Sequence, residues 1–67
     1  MTVEITTNHS NDKEVKLFGT TETVEEARMV INDAIAKMAT VEVNKGSWKS
    51  SATLTDGSIA RFVISVW

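Results

Sequence analysis

An α+β fold, with one helix lying on an antiparallel sheet of up to five strands in the order ββαβββ, is predicted by three features of this 67-residue sequence. Segments with a period of two flank a single amphipathic segment with a period near 3.6. Clusters of turn-forming residues separate them. One register of the last three segments also gathers their core-sized apolar residues on a common side.

Residues 2 to 7 alternate, with Val3 and Ile5 on one side and Glu4 and Thr6 on the other, as in a half-buried strand. Residues 14 to 18 alternate as well, and Gly19 reads as the end of this second strand. Between them lie Asn8, His9, Ser10, Asn11 and Asp12, five polar residues rich in turn formers, so a hairpin with that stretch as its loop is expected.

Thr23 and Glu26 have the spacing of a capping box just where the helical period begins, which predicts a helix over residues 24 to 38. Val24, Ala27, Val30, Ile31, Ala34, Ile35 and Met38 fall in an arc about 140° wide, a stripe that faces a core. Asp33 and Lys37 form an i,i+4 pair on the wet side. Met29 falls opposite the centre of the stripe. Glu22, Glu25 and Glu26 cluster at the helix start, where carboxylates complement the macrodipole.

Three strands follow. A two-residue turn at Lys45-Gly46 sets Val43 opposite Trp48, Val41 opposite Ser50 and Glu42 opposite Lys49. A two-residue turn at Asp56-Gly57, by contrast, puts Ala52 and Leu54 on the opposite face from Ala60, Phe62 and Ile64. A three-residue loop Thr55-Asp56-Gly57, with Gly57 left-handed, restores the match and brings Ala52 opposite Ala60 and Trp48 opposite Ile64. The helix-facing side then carries Val41, Val43, Trp48, Ala52, Leu54, Ala60, Phe62, Ile64 and Val66. The last strand is apolar on both faces and is therefore expected to lie centrally, with the N-terminal hairpin on its free side. Pattern alone leaves open whether that hairpin extends the sheet or folds over its other face.

Residues 1–67 fit a single domain whose stability is marginal, since a chain this small buries only roughly 60% of its unfolded surface. Without cysteine no disulfide forms, and the Cys/His spacing of a structural zinc site is missing. No apolar run approaches the length of a membrane span, and the first residues resemble no signal peptide, so a cytoplasmic location is expected. The net charge is −2, with seven basic and nine acidic residues dispersed along the chain, which disfavours a dedicated duplex-DNA binder.

No residue set points to catalysis. His9, Ser10 and Asp12 contain the residue types of a hydrolase, but neighbours in one turn do not align a nucleophile with its base, and nothing supplies an oxyanion site. A lone imidazole with one nearby carboxylate falls short of a metal-ligand set. Gly19, Gly46 and Gly57 are isolated and form no phosphate cradle. A non-enzymatic protein that takes no cofactor, metal or small-molecule substrate is the expectation.

The sheet face turned away from the helix is the informative feature. In the expected register it carries Ile59, Arg61, Val63, Ser65 and Trp67, beside Lys49, Ser51 and Thr53, with Phe18, Glu14 and Lys16 from the second strand. One helix cannot cover both faces. An uncovered patch with aromatics, aliphatics and cations suits a protein interface, so Phe18, Lys49, Ile59, Arg61, Val63 and Trp67 are the candidate contact residues, with a homodimer as the simplest assembly. Two alternatives stand beside it. A single-stranded nucleic-acid platform would stack bases on Phe18 and Trp67 and meet phosphates with Lys16, Lys49 and Arg61. The small, cysteine-free format also suits a phage or mobile-element inhibitor of a host protein.

Overall fold

The computed structural model describes residues 2–67. Its elements are β1 (Val3–His9), β2 (Lys16–Thr21), α1 (Val24–Ala36), β3 (Thr40–Lys45), β4 (Lys49–Leu54) and β5 (Ile59–Val66). The strands form one antiparallel sheet in the order β2-β1-β5-β4-β3, and α1 packs on one side of it. The predicted fold class and element order hold. β5 is central, and the N-terminal hairpin extends the sheet: β1 pairs with β5 from Val3↔Val66 to His9↔Ala60. It does not fold over the open face.

The core follows from the period-two and period-3.6 patterns meeting. Val3 and Ile5 of β1, Ala52 of β4, and Ala60, Phe62 and Ile64 of β5 are buried beneath Ala27, Ile31 and Ile35 of α1. Val24, Ala34 and Met38 pack at its margin. Each of the larger of these side chains contributes roughly 1.5–3 kcal/mol by leaving water. Val30, at the edge of the stripe, stays partly exposed, and Met29 is fully on the wet side.

The N-terminus of α1 forms as its residues predict. Thr23 is extended, and its hydroxyl oxygen accepts the Glu26 N–H at 3.1 Å, satisfying one of the free donors of the first turn. The helix ends at Ala36, two residues earlier than predicted, because the final turn tightens: Lys37 and Met38 donate to the carbonyls three residues back. The Asp33–Lys37 ion pair is present at 3.2 Å.

The two C-terminal turns had contrasting outcomes. At the second, Leu54 donates to Ser58 and Gly57 donates back to Leu54, which leaves Thr55, Asp56 and Gly57 as the three-residue loop, with Gly57 at φ +89°. Ala52 lies opposite Ala60 as expected. At the first, the expected Lys45-Gly46 turn does not form. Gly46 donates to the Lys49 carbonyl at 2.9 Å, so Ser47 and Trp48 form the turn.

The β3–β4 register moves with that turn. Val43 lies opposite Ala52, Lys45 opposite Ser50, and Glu42 opposite Thr53 rather than Lys49. The reason is local. A type I′ turn at Lys45-Gly46 needs positive φ at both residues, and Gly57 is the sole described residue with positive φ. Gly46 serves close approach instead, since a Cβ there would sit 2.6 Å from the Lys49 carbonyl oxygen. The shift is even, so Val43 and Trp48 keep their predicted side. A bulge at the start of β3 leaves Val41 largely exposed and outside the predicted core.

Candidate functional site

The face turned away from α1 can be built row by row from the pairings. β5 supplies Ile59, Arg61, Val63 and Ser65, which lie opposite Asn8, Thr6 and Glu4 of β1 or Thr53, Ser51 and Lys49 of β4. Trp67 exchanges backbone hydrogen bonds with Thr2 and continues the alternation onto this face, 75% exposed. Of the predicted contact residues, Lys49, Ile59, Arg61, Val63 and Trp67 therefore share one surface. Ile59 and Val63 are half-buried by their neighbours, while Lys49 and Arg61 are exposed.

Phe18 is not among them. Its ring meets Phe62 edge-to-face with centroids 5.3 Å apart, and Phe62 belongs to the core beneath α1. The cause is a bulge in β2. Ile5 pairs with Gly19 but Thr6 pairs with Leu17, so Phe18 is the extra residue and the alternation reverses across it. Lys16, opposite Thr7, likewise moves to the helix side and pairs with Asp12 at 3.2 Å. Leu17 takes the open face opposite Thr6, 63% exposed, and Val15, 65% exposed, lies beside it. Simple alternation had concealed Leu17 and Val15. The available signal was Gly19, since a glycine inside a strand pattern marks a bulge.

Two shallow depressions mark this face, and they share Arg61 and Val63. The larger, about 420 Å³, lies between Asn44, Lys49, Ser51 and Arg61, with Val63 as its apolar wall. The smaller, about 230 Å³, lies between Val15, Thr6 and Asn8. Arg61 is steadied between them: its guanidinium donates to the Asn8 side-chain oxygen at 3.1 Å. Among the described residues neither Lys49 nor Arg61 has an ion-pair partner. The face thus combines exposed apolar groups on the β2 side with Arg61 on the central strand and Lys49 on β4.

Neither a protein-family model, nor a curated protein, nor a solved structure matches this chain. Its geometry therefore carries the functional reading.

His9, Ser10 and Asp12 lie at the opposite end of the β1–β2 hairpin from Trp67. His9 closes β1 instead of sitting in the loop, and its Nδ1 accepts the Asn11 N–H at 3.2 Å. Ser10 Oγ accepts the Ile59 N–H at 2.9 Å. The Asp12 carboxyl accepts the Glu14 N–H at 3.0 Å and pairs with Lys16, and these contacts hold its pKa below the ordinary carboxylate value. Each of the three side chains is thus directed at a different local partner. In the β4–β5 loop, Asp56 accepts from both the hydroxyl and the N–H of Ser58, which lowers its pKa and satisfies a buried serine.

Among the described residues no three His, Cys, Asp or Glu side chains gather as a metal site. No described helix is long and apolar enough to cross a membrane.

Proposed function

We propose that this protein is a non-enzymatic binding module that docks a protein partner on the open face of its sheet, and that it self-associates through this face when no other partner is present. A single observation carries the reading. Val15, Leu17 and Trp67 are each more than 60% exposed on the same face as half-buried Val63 and Ile59, and no described element covers them. Isolated exposed apolar residues are ordinary, but several on one face, interleaved with polar and cationic side chains, suit a protein interface. A small domain also gains stability when such a face is covered. Because a patch that meets itself closes and stops growing, a two-fold pair is the simplest self-assembly.

The nucleic-acid platform has less support. With Phe18 against Phe62 and Lys16 engaged by Asp12, only Trp67, Lys49 and Arg61 remain of its five groups.

The test is the double variant Trp67→Ser, Val63→Thr. Sedimentation should show a lower apparent mass than the wild type, and thermal stability should depend less on concentration. Salt-sensitive quenching of tryptophan fluorescence by single-stranded oligonucleotides, with a monomeric wild type, would favour the nucleic-acid reading instead. If the wild type stays monomeric at high concentration and its tryptophans ignore oligonucleotides, the face is no self-docking surface.

A further inference from the structure

Two strands lie at the edges of the sheet, and they differ in what they offer. β2 is interrupted midway by its bulge at Phe18, and its alternation reverses there, so no long regular row of backbone groups faces outward. β3 is bulged only at its start, and Glu42 to Lys45 run regularly along β4. This stretch contains no proline, and both of its ends are tied down. Thr55 donates to the Ala39 carbonyl at 3.1 Å, and Arg28 Nε donates from α1 to the Ser47 carbonyl, also at 3.1 Å.

The hydrogen-bond phase of this edge follows from the turns around it. In an antiparallel pair, directly opposed residues alternate between exchanging backbone hydrogen bonds and turning them away. Gly46 and Lys49 are a bonded pair, so Asn44 with Ser51 and Glu42 with Thr53 are bonded pairs as well. The β4–β5 side agrees: Leu54 bonds to Ser58 and Ile64 to Trp48, which turns Ala52 and Ser50 toward β5 and leaves Ser51 and Thr53 for β3. Val43 and Lys45 therefore direct their N–H and C=O groups outward, away from β4.

We infer that a second copy of this chain pairs antiparallel along β3, about a two-fold axis normal to the sheet that passes beside Val43. This inference is independent of the open-face reading. Such an axis keeps the same face on the same side in both copies, so opposed residues must share a face, which limits the register to alternate positions. Centring on Glu42 would set two carboxylates against each other, and centring on Asn44 would set Val43 against Lys45 with no valine pair at the axis, whereas centring on Val43 leaves only the bulged, exposed Val41 to face Lys45. Centring on Val43 sets valine against valine on the helix side and Glu42 against the Asn44 amide on the open side. It also joins outward N–H to outward C=O at the axis.

The helix side of this seam is free for the contact. α1 packs on β1, β2 and β5, and Val43 and Trp48 are left 36% and 50% exposed on β3 and the adjoining turn. Pairing makes one ten-stranded sheet with both open faces on the same side. Contact through those faces as well would close the assembly as a tetramer of two such sheets.

Amide hydrogen exchange by NMR tests this on the wild-type protein. At about 10 μM the Val43 and Lys45 amides should exchange as free edge groups, and at about 1 mM they should slow by about tenfold or more. Glu42 and Asn44, already bonded to β4, should change far less. Val43→Lys sets like charges at the axis, and it should abolish that concentration dependence while leaving the far-UV circular dichroism and the exchange within β1 and β5 unchanged. Trp67→Ser with Val63→Thr should leave it intact. Concentration-independent exchange at Val43 and Lys45 in the wild type would overturn the inference. So would its loss in the open-face variant but not in Val43→Lys.

Discussion

The two halves of the helix-facing side are unlike, although one sheet carries both. Under α1, Phe62, Ile5 and Val3 are at most 1% exposed, while on the β3–β4 hairpin Val41 and Trp48 are 68% and 50% exposed. Residue type does not explain this, since valine and aromatic side chains occur in both. Width does. Strands lie about 4.8 Å apart, so five strands span roughly 19 Å, whereas a helix with its side chains is about 10 Å across. One helix roofs two or three strands, here β2, β1 and β5. β4 still reaches the core through Ala52, while β3 gains ladder hydrogen bonds and little burial. A one-helix domain with five strands is therefore bound to leave apolar surface on the helix side as well as on the open face.

Truncating an aromatic in each half should sharpen the contrast most. Phe62→Ala should lower the unfolding free energy by about 3–5 kcal/mol, and Trp48→Ala by under about 1.5 kcal/mol, in urea titrations at low protein concentration. Equal losses would mean that the hairpin is as much core as the roofed half.

A smaller effect separates the two glycine turns that bracket β4. Gly57→Ala should lose about 1 kcal/mol or more because its φ of +89° strains any Cβ, although nothing lies within 4 Å of that position. Gly46→Ala meets the Lys49 carbonyl oxygen, so it should also destabilise, and the loss should come with chemical-shift changes confined to the β3–β4 turn. A neutral Gly57→Ala would break the assignment of the left-handed loop, and a neutral Gly46→Ala would show that the outer hairpin yields easily.

The smallest expected effect concerns pH. Ser58 first through its hydroxyl and then through its N–H lowers the Asp56 pKa below the unfolded value. A depressed carboxyl pKa stabilises the fold above the unfolded value and loses that contribution as pH falls through the folded one, below about pH 4. The stability difference between wild type and Asp56→Asn should therefore be present at neutral pH and shrink on acidification below that range. A difference that stays constant to lower pH would assign the role of Asp56 to shape and not to charge.

Much of the candidate face was legible because period-two alternation is a geometric property of a strand. Once Ala52 is opposite Ala60, the positions of Lys49, Ile59, Arg61, Val63 and Trp67 follow without further information. Phe18 escaped because a bulge changes the parity of everything before it. Whether Gly19 ends a strand or bulges one depends on how β1 lies beside it. The β3–β4 register escaped for a related reason: Gly46 could have provided positive φ or close approach, and both uses look alike in a string of residues.

By itself the sequence determined the element order, the α1 start at Thr23, the left-handed loop at Gly57 and the central place of β5. Those features rest on interactions a few residues apart, or on an apolar pattern that only one side of a sheet can satisfy. Tertiary structure alone decided that the N-terminal hairpin extends the sheet, that Phe18 turns in against Phe62 while Leu17 turns out, and that α1 roofs the β2 side and leaves β3 bare. These depend on which surfaces compete for one helix, a contest between distant segments that local propensity does not encode.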